Sequence, residues 1–364
     1  MNPSAREKAI LVGIQFPQED AFLSELKELA ETAGATAVGT LTQNRNKPDQ
    51  KFFIGSGKLE ELKLQVAAQH ADLVIFDHEL SPSQERNLED VLGVKVIDRT
   101  ELILDIFARH AKSREGKLQV ELAQSSFLLT RLSGHGVLMS RLGGGIATRG
   151  PGETKLEYDR RLLRKKISQL KAEIEKVRRE RFLKREKRRS AHIPTAVIVG
   201  YTNAGKSTLL NALVHSEALV EDKLFSTLDP TTRRLYLPSG RIVLATDTVG
   251  FIQKLPHTLV TAFHATLEEV TEADLLLHVI DIANPDFERQ IASVYQVLEE
   301  LNSITKPMIT IFNKIDQLKK GVQKSLLKKY SPSVEVSALQ KSGLEKLLST
   351  IDGLLPELSA SNRP

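Results

Sequence analysis

One short segment, residues 200–207, restricts the fold of this chain more than any other part: Gly200, Tyr201, Thr202, Asn203, Ala204, Gly205, Lys206 and Ser207. It fits the pattern GxxxxGKS/T and follows an apolar run, Thr195 to Val199, that predicts a strand. In such a loop, backbone N–H groups and the start of the next helix hold phosphate oxygens, while Lys206 neutralises them and Ser207 binds Mg²⁺. The sequence therefore predicts a strand, a phosphate-binding loop and a helix in that order.

Three further segments follow predicted strands downstream: Asp247-Thr248-Val249-Gly250, Asn313-Lys314-Ile315-Asp316 and Ser337-Ala338-Leu339. In the first, the aspartate would reach Mg²⁺ through water and the Gly250 N–H would contact a γ-phosphate. In the second, the Asp316 carboxylate can accept hydrogen bonds from guanine N1–H and its exocyclic amine, whereas adenine has no donor on that edge. Backbone N–H groups of the third would support the guanine O6. Together the segments predict a doubly wound GTP-binding domain.

The net charge of +5 over 364 residues is unevenly distributed. Residues 155–190 hold 16 Lys and Arg against 6 Asp and Glu, a local charge of +10 that leaves −5 for the rest. This excess favours a polyanionic partner such as nucleic acid, and a solvated helix face is the alternative. The chain has no cysteine, which fits a reducing cytoplasm. It also shows no apolar stretch long enough for a bilayer and nothing that demands more than a monomer.

The chain predicts an α/β fold in three parts. Residues 1–112 alternate strand and helix patterns, which is typical of an α/β domain. The predicted strands are AILVGIQ, TAVGTLT, KFFIG, DLVIFD and VKVID, and the predicted helices are Phe22 to Ala33, Leu59 to Gln69 and Ser83 to Leu92. Gly55-Ser56-Gly57-Lys58 is interpreted as a turn and helix cap, with phosphate binding as the alternative. The GTPase domain is predicted at 193–356, followed by a polar tail at 357–364.

A basic, coiled-coil-like helical hairpin is predicted at 113–192. Two series of residues form its seam: Leu118, Leu122, Ser125, Leu129 and Leu132, then Leu156, Leu163, Ile167, Leu170, Ile174 and Val177. The spacings alternate between four and three throughout the first series and from Leu163 onward in the second. Between them, residues 133–152 hold seven of the 21 glycines and no acidic residue. This segment is predicted to be a loop at the hairpin tip, where Arg141 and Arg149 would contact RNA. A flexible linker is the alternative.

Phe225-Ser226-Thr227-Leu228-Asp229-Pro230-Thr231-Thr232-Arg233, together with GYTNAGKS and DTVGFI, resembles the HflX family of translation-factor-class GTPases. The glycine-rich tip and the run GETKLE match the family too, so the resemblance covers about residues 9 to 355. It implies that Phe225, Ser226, Thr227, Leu228 and Asp229 line the nucleotide, and that Ser207 and Thr227 are the protein ligands of Mg²⁺. It further implies catalysis by Lys206, Thr227 and Gly250, and binding to the large ribosomal subunit and its RNA. HflX proteins place the glycine-rich tip near the peptidyl-transferase centre and separate stalled ribosomes.

Two positions need separate interpretation. Phe251 stands where Ras-like enzymes carry the glutamine that orients water, so intrinsic hydrolysis is expected to be slow unless a partner accelerates it; simple packing is the alternative role. Asn203 resembles the asparagine with which related GTPases hold K⁺, which makes K⁺ activation a hypothesis. Two other functions stay open. One is an RNA-binding scaffold with GTP as a structural ligand, and the other is a tRNA-modifying GTPase.

Overall fold

The computed structural model describes residues 6–16, 23–142, 151–190, 193–214, 224–225, 227–253, 267–319 and 321–361. The chain divides into two compact units, one of Met1–Arg109 with Lys117–Glu173 and one of His110–Gly116 with Ile174–Pro364. Both long helices of the hairpin therefore contribute residues to each unit. The predicted domain boundaries at residues 112, 192 and 356 stay a prediction.

The first unit contains a four-stranded parallel sheet in the order β2-β1-β3-β4. Six consecutive residues of β1 and all four of β3 are buried, as expected where helices cover both faces of a parallel sheet. Its elements are β1 Lys8–Gln15, α1 Leu23–Thr32, β2 Thr36–Asn44, α2 Ser56–Gln69, β3 Leu73–Phe76, α3 Pro82–Leu92, β4 Lys95–Asp98 and α4 Arg99–His110.

The strand predicted at KFFIG, residues 51–55, is wrong. Asp49 folds this segment into a turn, because its Oδ1 atom accepts the N–H groups of Lys51 at 2.8 Å and Phe52 at 3.0 Å. Phe53 has a φ of 65°, which no strand residue adopts. The next prediction, a turn and helix cap, agrees with α2 beginning at Ser56 after Gly55, whose N–H donates to Gln43 Oε1 at 2.9 Å.

Two long antiparallel helices, α5 Arg114–Leu142 and α6 Pro151–Ser190, form the hairpin. Within the first unit, Lys166 Nζ lies 2.8 Å from Glu121 Oε1, and Arg160 Nη2 donates to the Leu132 carbonyl at 3.5 Å. Later residues of α6 thus contact earlier residues of α5, which fixes the antiparallel direction. The predicted seam residues of both helices are buried or half-buried, whereas most of the charged residues between them on α6 are exposed.

The loop predicted at 133–152 is wrong over most of its length, because α5 continues to Leu142 and α6 begins at Pro151. Glycine in a helix interior costs only about 1 kcal/mol relative to alanine, and the Leu, Met and Arg residues of 133–142 favour helix. The glycine content of this segment therefore led to a predicted loop that is too long. Residues 143–150, Arg149 among them, lie outside the described residues, and for Arg141 only the helical backbone is described.

The second unit contains a six-stranded sheet in the order β10-β9-β8-β5-β7-β6, parallel except for β6 at the edge. The last helix continues to Ser361, so residues 357–361 of the predicted tail are helical. The elements are β5 Thr195–Gly200, α7 Lys206–Leu213, β6 Thr231–Tyr236, β7 Ile242–Asp247, β8 Leu275–Asp281, α8 Phe287–Glu300, β9 Met308–Asn313, a 3₁₀ turn Ile315–Gln317, α9 Lys324–Lys329, β10 Ser333–Glu335 and α10 Leu344–Ser361. Three of the four predicted motifs lie at the carboxyl ends of β5, β7 and β9, and the fourth, Ser337-Ala338-Leu339, follows β10.

Candidate nucleotide-binding site

The loop between β5 and α7 depends on two glycines. Gly200 has a φ of 152°, and a Cβ there would lie 2.3 Å from the Val279 carbonyl oxygen. Gly205 has a φ of 90°, and a Cβ there would lie 2.4 Å from Asn313 Nδ2. A side chain at either position would collide with the neighbouring strands. The glycines therefore let the loop pack closely against Val279 and the Asn313 side chain.

Lys206, the first residue of α7, is almost completely buried. Its Nζ atom donates to the Tyr201 carbonyl at 2.8 Å, so the side chain folds back under the loop. Burial lowers the pKa of Lys206 to about 8, and the nearby Asp247 carboxylate partly opposes this shift. A cation at this depth is positioned to stabilise the negative oxygens of a phosphate chain.

Three side-chain oxygens meet beside Lys206. Ser207 Oγ lies 2.7 Å from Thr227 Oγ1 and donates to Asp247 Oδ2 at 2.6 Å. Asp247 is 2% exposed, and its Oδ1 atom has no hydrogen-bond partner among the described residues. Burial raises the pKa of Asp247, although the charge of Lys206 acts in the opposite direction. Hydroxyl and carboxylate oxygens are the ligands that Mg²⁺ prefers, so this group fits a magnesium ion.

The segment after β7 is tied to the phosphate loop by backbone hydrogen bonds. The Phe251 N–H donates to the Gly200 carbonyl at 3.1 Å, and the Thr202 N–H donates to the Phe251 carbonyl at 2.8 Å. Thr248 Oγ1 donates to the Ile198 carbonyl at 2.7 Å. The Phe251 ring is 1% exposed, so it packs in the interior, where it offers nothing to orient a water molecule.

The predicted base-recognition residues lie on two neighbouring loops. The Asn313 amide donates to the Ala204 carbonyl at 2.9 Å and accepts the Ala338 N–H at 3.0 Å, which joins the phosphate loop to the loop after β10. Ser337 Oγ donates to Asp316 Oδ1 at 2.5 Å and thereby fixes the orientation of that carboxylate. The Lys314 ammonium lies 2.7 Å from Asp281 Oδ2.

These loops enclose a cavity of about 330 Å³, within the range of small-ligand pockets. Fourteen of the predicted site residues line it: Thr202, Asn203, Gly205, Lys206, Ser207, Phe225, Thr227, Thr248, Gly250, Asn313, Lys314, Asp316, Ala338 and Leu339. The described predicted residues that do not line it are Gly200, Tyr201, Ala204, Leu228, Asp229, Asp247, Val249, Ile315 and Ser337. Several of these support the lining from behind, as Ser337 does for Asp316.

Two lining residues, Thr208 and Gln317, were not predicted. Each follows a predicted motif directly in the sequence, Thr208 after Ser207 and Gln317 after Asp316. Thr208 lies in the first turn of α7, and Gln317 is the last residue of the 3₁₀ turn, so each extends the site by one position. The prediction missed Thr208 and Gln317 because it ended at the last residue of each motif.

Asp229, predicted to line the nucleotide, does not line the cavity, and its role toward the nucleotide stays a prediction. Its carboxylate accepts hydrogen bonds from the backbone of Lys112 and Ser113, at 3.0 and 2.7 Å. These residues precede it by more than 110 positions, so nothing in the local sequence indicates the contact. Ser226, predicted to line the nucleotide as well, lies outside the described residues.

Three family models match consecutive parts of the chain. They are GTP-binding GTPase N-terminal at residues 20–108, GTP-binding GTPase Middle Region at 110–188, and 50S ribosome-binding GTPase at 195–314. The GTPase HflX of Caldanaerobacter subterraneus is 55% identical over 348 residues, which cover 95% of this chain and 80% of that protein. The chain belongs to the HflX family of GTPases. The GTPase HflX of Escherichia coli is 50% identical over 317 residues, covering 86% of this chain and 74% of the relative.

Solved structures agree with this assignment. The crystal structure of a GTP-binding protein from Sulfolobus solfataricus in complex with GDP superposes with a TM-score of 0.50 at 27% identity, covering 97% of this chain and 99% of that one. A complex of SsGBP with GDP gives a TM-score of 0.52 at 28% identity. The protein is accordingly a GTP-hydrolysing enzyme that binds GTP and GDP. None of the helices in the described part of the chain is long and apolar enough to cross a membrane.

Proposed function

We propose that this protein binds the large ribosomal subunit in its GTP state, hydrolyses GTP there, and separates or rescues stalled ribosomes. The observation that carries the proposal is the match of residues 195–314 to the family of 50S ribosome-binding GTPases, over the same segment that supplies most of the nucleotide cavity. A ribosomal partner places the protein in the cytoplasm, and one molecule per subunit requires only a monomer.

The helical hairpin is the proposed RNA-binding part. Helix α6 contains all of residues 155–190 and their charge of +10, and the side chains of Arg164, Lys166 and Arg178 are about half exposed or more. Exposed guanidinium and ammonium groups along one helix can contact successive phosphates of folded RNA. Arg141 and Arg149 are proposed to contact ribosomal RNA at the tip of the hairpin.

Hydrolysis is proposed to occur by in-line attack of water on the γ-phosphate. Ser207 and Thr227 would hold Mg²⁺ directly, with Asp247 acting through water; the ion, when bound, would neutralise the β- and γ-phosphate oxygens. Lys206 and the loop N–H groups stabilise the charge that develops on these oxygens. Because Phe251 is buried and apolar, slow intrinsic turnover and acceleration by the ribosome are expected.

Asn203 is the proposed contact for K⁺, which could supply positive charge beside the phosphates in place of an arginine finger. Asn203 has a φ of 59°, and its side chain lines the cavity. Faster hydrolysis in KCl than in NaCl at equal ionic strength would support this role. Equal rates in the two salts would remove it.

Co-sedimentation with purified large ribosomal subunits tests the proposal. Binding is expected to be tighter with a non-hydrolysable GTP analogue than with GDP, and intact ribosomes are expected to separate into subunits in a sucrose gradient. Replacing both Arg141 and Arg149 by alanine is expected to weaken binding about tenfold while leaving GDP affinity unchanged. The matched control replaces Arg86 and Arg109, two exposed arginines of the first unit.

The outcomes separate the proposal from its rival. Binding that does not depend on the nucleotide, without separation of ribosomes, would favour an RNA-binding scaffold in which GTP is structural. A parallel loss of GDP affinity in the tip variant would contradict the division between an RNA-binding hairpin and a nucleotide-binding domain.

A further inference from the structure

The Asp229 carboxylate contacts the start of helix α5, although the residue lies only two positions after Thr227. Its Oδ2 atom accepts the Lys112 and Ser113 N–H groups at 3.0 and 2.7 Å, and its Oδ1 atom accepts the Ser113 hydroxyl. Residues 110–116 belong to the same compact unit as Asp229. The contact therefore joins two segments of one unit that are far apart in the sequence.

Hydrogen bonds link Gly116, Ser113 and Asp229 in series at the start of α5. Helix α5 begins at Arg114, and Ser113 Oγ accepts the Gly116 N–H at 2.9 Å, which is the usual contact of a capping serine. The Asp229 carboxylate accepts hydrogen bonds from the capping Ser113 and from the N–H group of Lys112. A carboxylate at a helix N-terminus is also favoured by the helix dipole. Asp229 thus completes the cap of α5 from a distant segment.

Gly116 gives independent support for this contact. A Cβ built on Gly116 would lie 2.3 Å from Asp229 Oδ1, far below any normal separation. Glycine is a poor helix former in the first turn of α5, and its lack of a side chain is what leaves room for the carboxylate. The glycine at position 116 therefore leaves the space that the Asp229 carboxylate occupies.

Thr227 and Asp229 are separated by one residue, Leu228, whose side chain is buried. Thr227 Oγ1 lies 2.7 Å from Ser207 Oγ, at the oxygen group that fits Mg²⁺. Only two peptide bonds join Asp229 to Thr227, so a shift of the Asp229 backbone also moves Thr227. We propose that Asp229 is a positioning residue that holds Thr227 beside Ser207 and thereby couples the bound nucleotide to the first turn of α5. This inference rests on the proposed function, in which Thr227 is a ligand of Mg²⁺.

Ion pairs also tie the same end of the hairpin to residues 268 and 269. Arg181 pairs with Glu115 in the first turn of α5, and it lies 3.8 Å from Glu269. Arg178 Nε lies 2.5 Å from Glu268, which is 7% exposed. Because all these residues belong to the second unit, the hairpin base is held from the segment of Asp229 and from residues 268–269 at once.

Two substitutions weaken the Asp229 contact from opposite sides. Asp229→Asn removes the charge and one of the two acceptor oxygens, and Gly116→Ala adds a Cβ where the carboxylate lies. The higher helix propensity of alanine offsets part of the lost cap in Gly116→Ala. The matched controls are Asp286→Asn, an exposed aspartate at the start of α8 whose side chain makes no capping hydrogen bond, and Gly353→Ala, a helix glycine with no atom within 4 Å of the added Cβ.

Both test variants are expected to hydrolyse GTP about tenfold more slowly and to need about tenfold more Mg²⁺ for half-maximal rate, with GDP affinity unchanged. Hydrogen exchange provides a measurement that does not depend on activity. In the wild type, amides of residues 114–118 should exchange more slowly with a GTP analogue than with GDP. This difference should disappear in both test variants, whereas the controls should behave like the wild type.

Wild-type hydrolysis and Mg²⁺ dependence in Asp229→Asn and Gly116→Ala would overturn the inference, as would an exchange difference that persists in them. Thr227→Ala distinguishes this failure from failure of the proposed function. If Thr227→Ala is impaired while Asp229→Asn is not, only the positioning role of Asp229 is wrong. If Thr227→Ala also hydrolyses GTP like the wild type, the proposed role of Thr227 at Mg²⁺ is wrong too.

Discussion

Replacing Asn313 by alanine is expected to destabilise the second unit and to weaken GDP binding. The Asn313 side chain is 2% exposed, donates to the Ala204 carbonyl at 2.9 Å and accepts the Ala338 N–H at 3.0 Å. Alanine would leave both backbone groups buried without a partner, at a cost of about 1–3 kcal/mol for each group. Because the loops can relax, we expect a loss of about 2–4 kcal/mol in the free energy of unfolding.

Urea unfolding of the nucleotide-free protein, followed by a probe in the second unit, measures this loss. Titration with a fluorescent GDP analogue measures the accompanying loss of affinity, because Asn313 positions both the phosphate loop and the loop after β10. The control is Asn284→Ala, which removes a single exposed hydrogen bond to the Asp286 N–H. A loss below about 1 kcal/mol in Asn313→Ala, together with wild-type GDP affinity, would refute the bridging role of this side chain.

Two further predictions concern Lys206 and Asp316. Burial lowers the pKa of Lys206 to about 8, and phosphate favours the charged amine. Above pH 8 the protein must take up a proton to bind GDP, so affinity should fall about tenfold per pH unit. Calorimetry in buffers of different ionisation enthalpy detects this uptake; constant affinity from pH 7 to about 9.5 would contradict it. Asp316→Asn should weaken GDP binding about tenfold and improve binding of xanthosine diphosphate, whose carbonyl can accept the new amide N–H; an unchanged preference would contradict guanine recognition by Asp316.

The nucleotide site could be predicted because its residues follow continuous apolar strands. Parallel strands buried on both faces are recognisable as unbroken apolar runs, and their carboxyl ends meet at one edge of the sheet. The motifs that begin at Gly200, Asp247 and Asn313 therefore come together without any knowledge of distant contacts. The guanine preference assigned to Asp316 followed from its chemistry, and the structure adds the Ser337 hydrogen bond that orients it.

The features that the sequence did not predict have local and distant causes. At KFFIG, Phe53 and Ile54 are buried and Phe52 is half-buried although Asp49 folds the chain into a turn. Apolar content alone cannot distinguish a strand from such a turn. At residues 133–142, glycine content outweighed a continuing helix. Asp229 contacts Ser113 across more than 110 residues, and a single sequence contains no information on such a pair except the glycine at 116 that makes room for it.

The central claim is that GTP hydrolysis by this protein is coupled to the large ribosomal subunit. The most direct measurement is the GTP hydrolysis rate of the purified protein, alone and with large ribosomal subunits added, beside Thr227→Ala under the same conditions. We expect slow hydrolysis by the protein alone and strong stimulation by the subunits that is lost in Thr227→Ala. Tight GTP binding and intact subunit binding without any stimulation would contradict the claim and identify the protein as a scaffold.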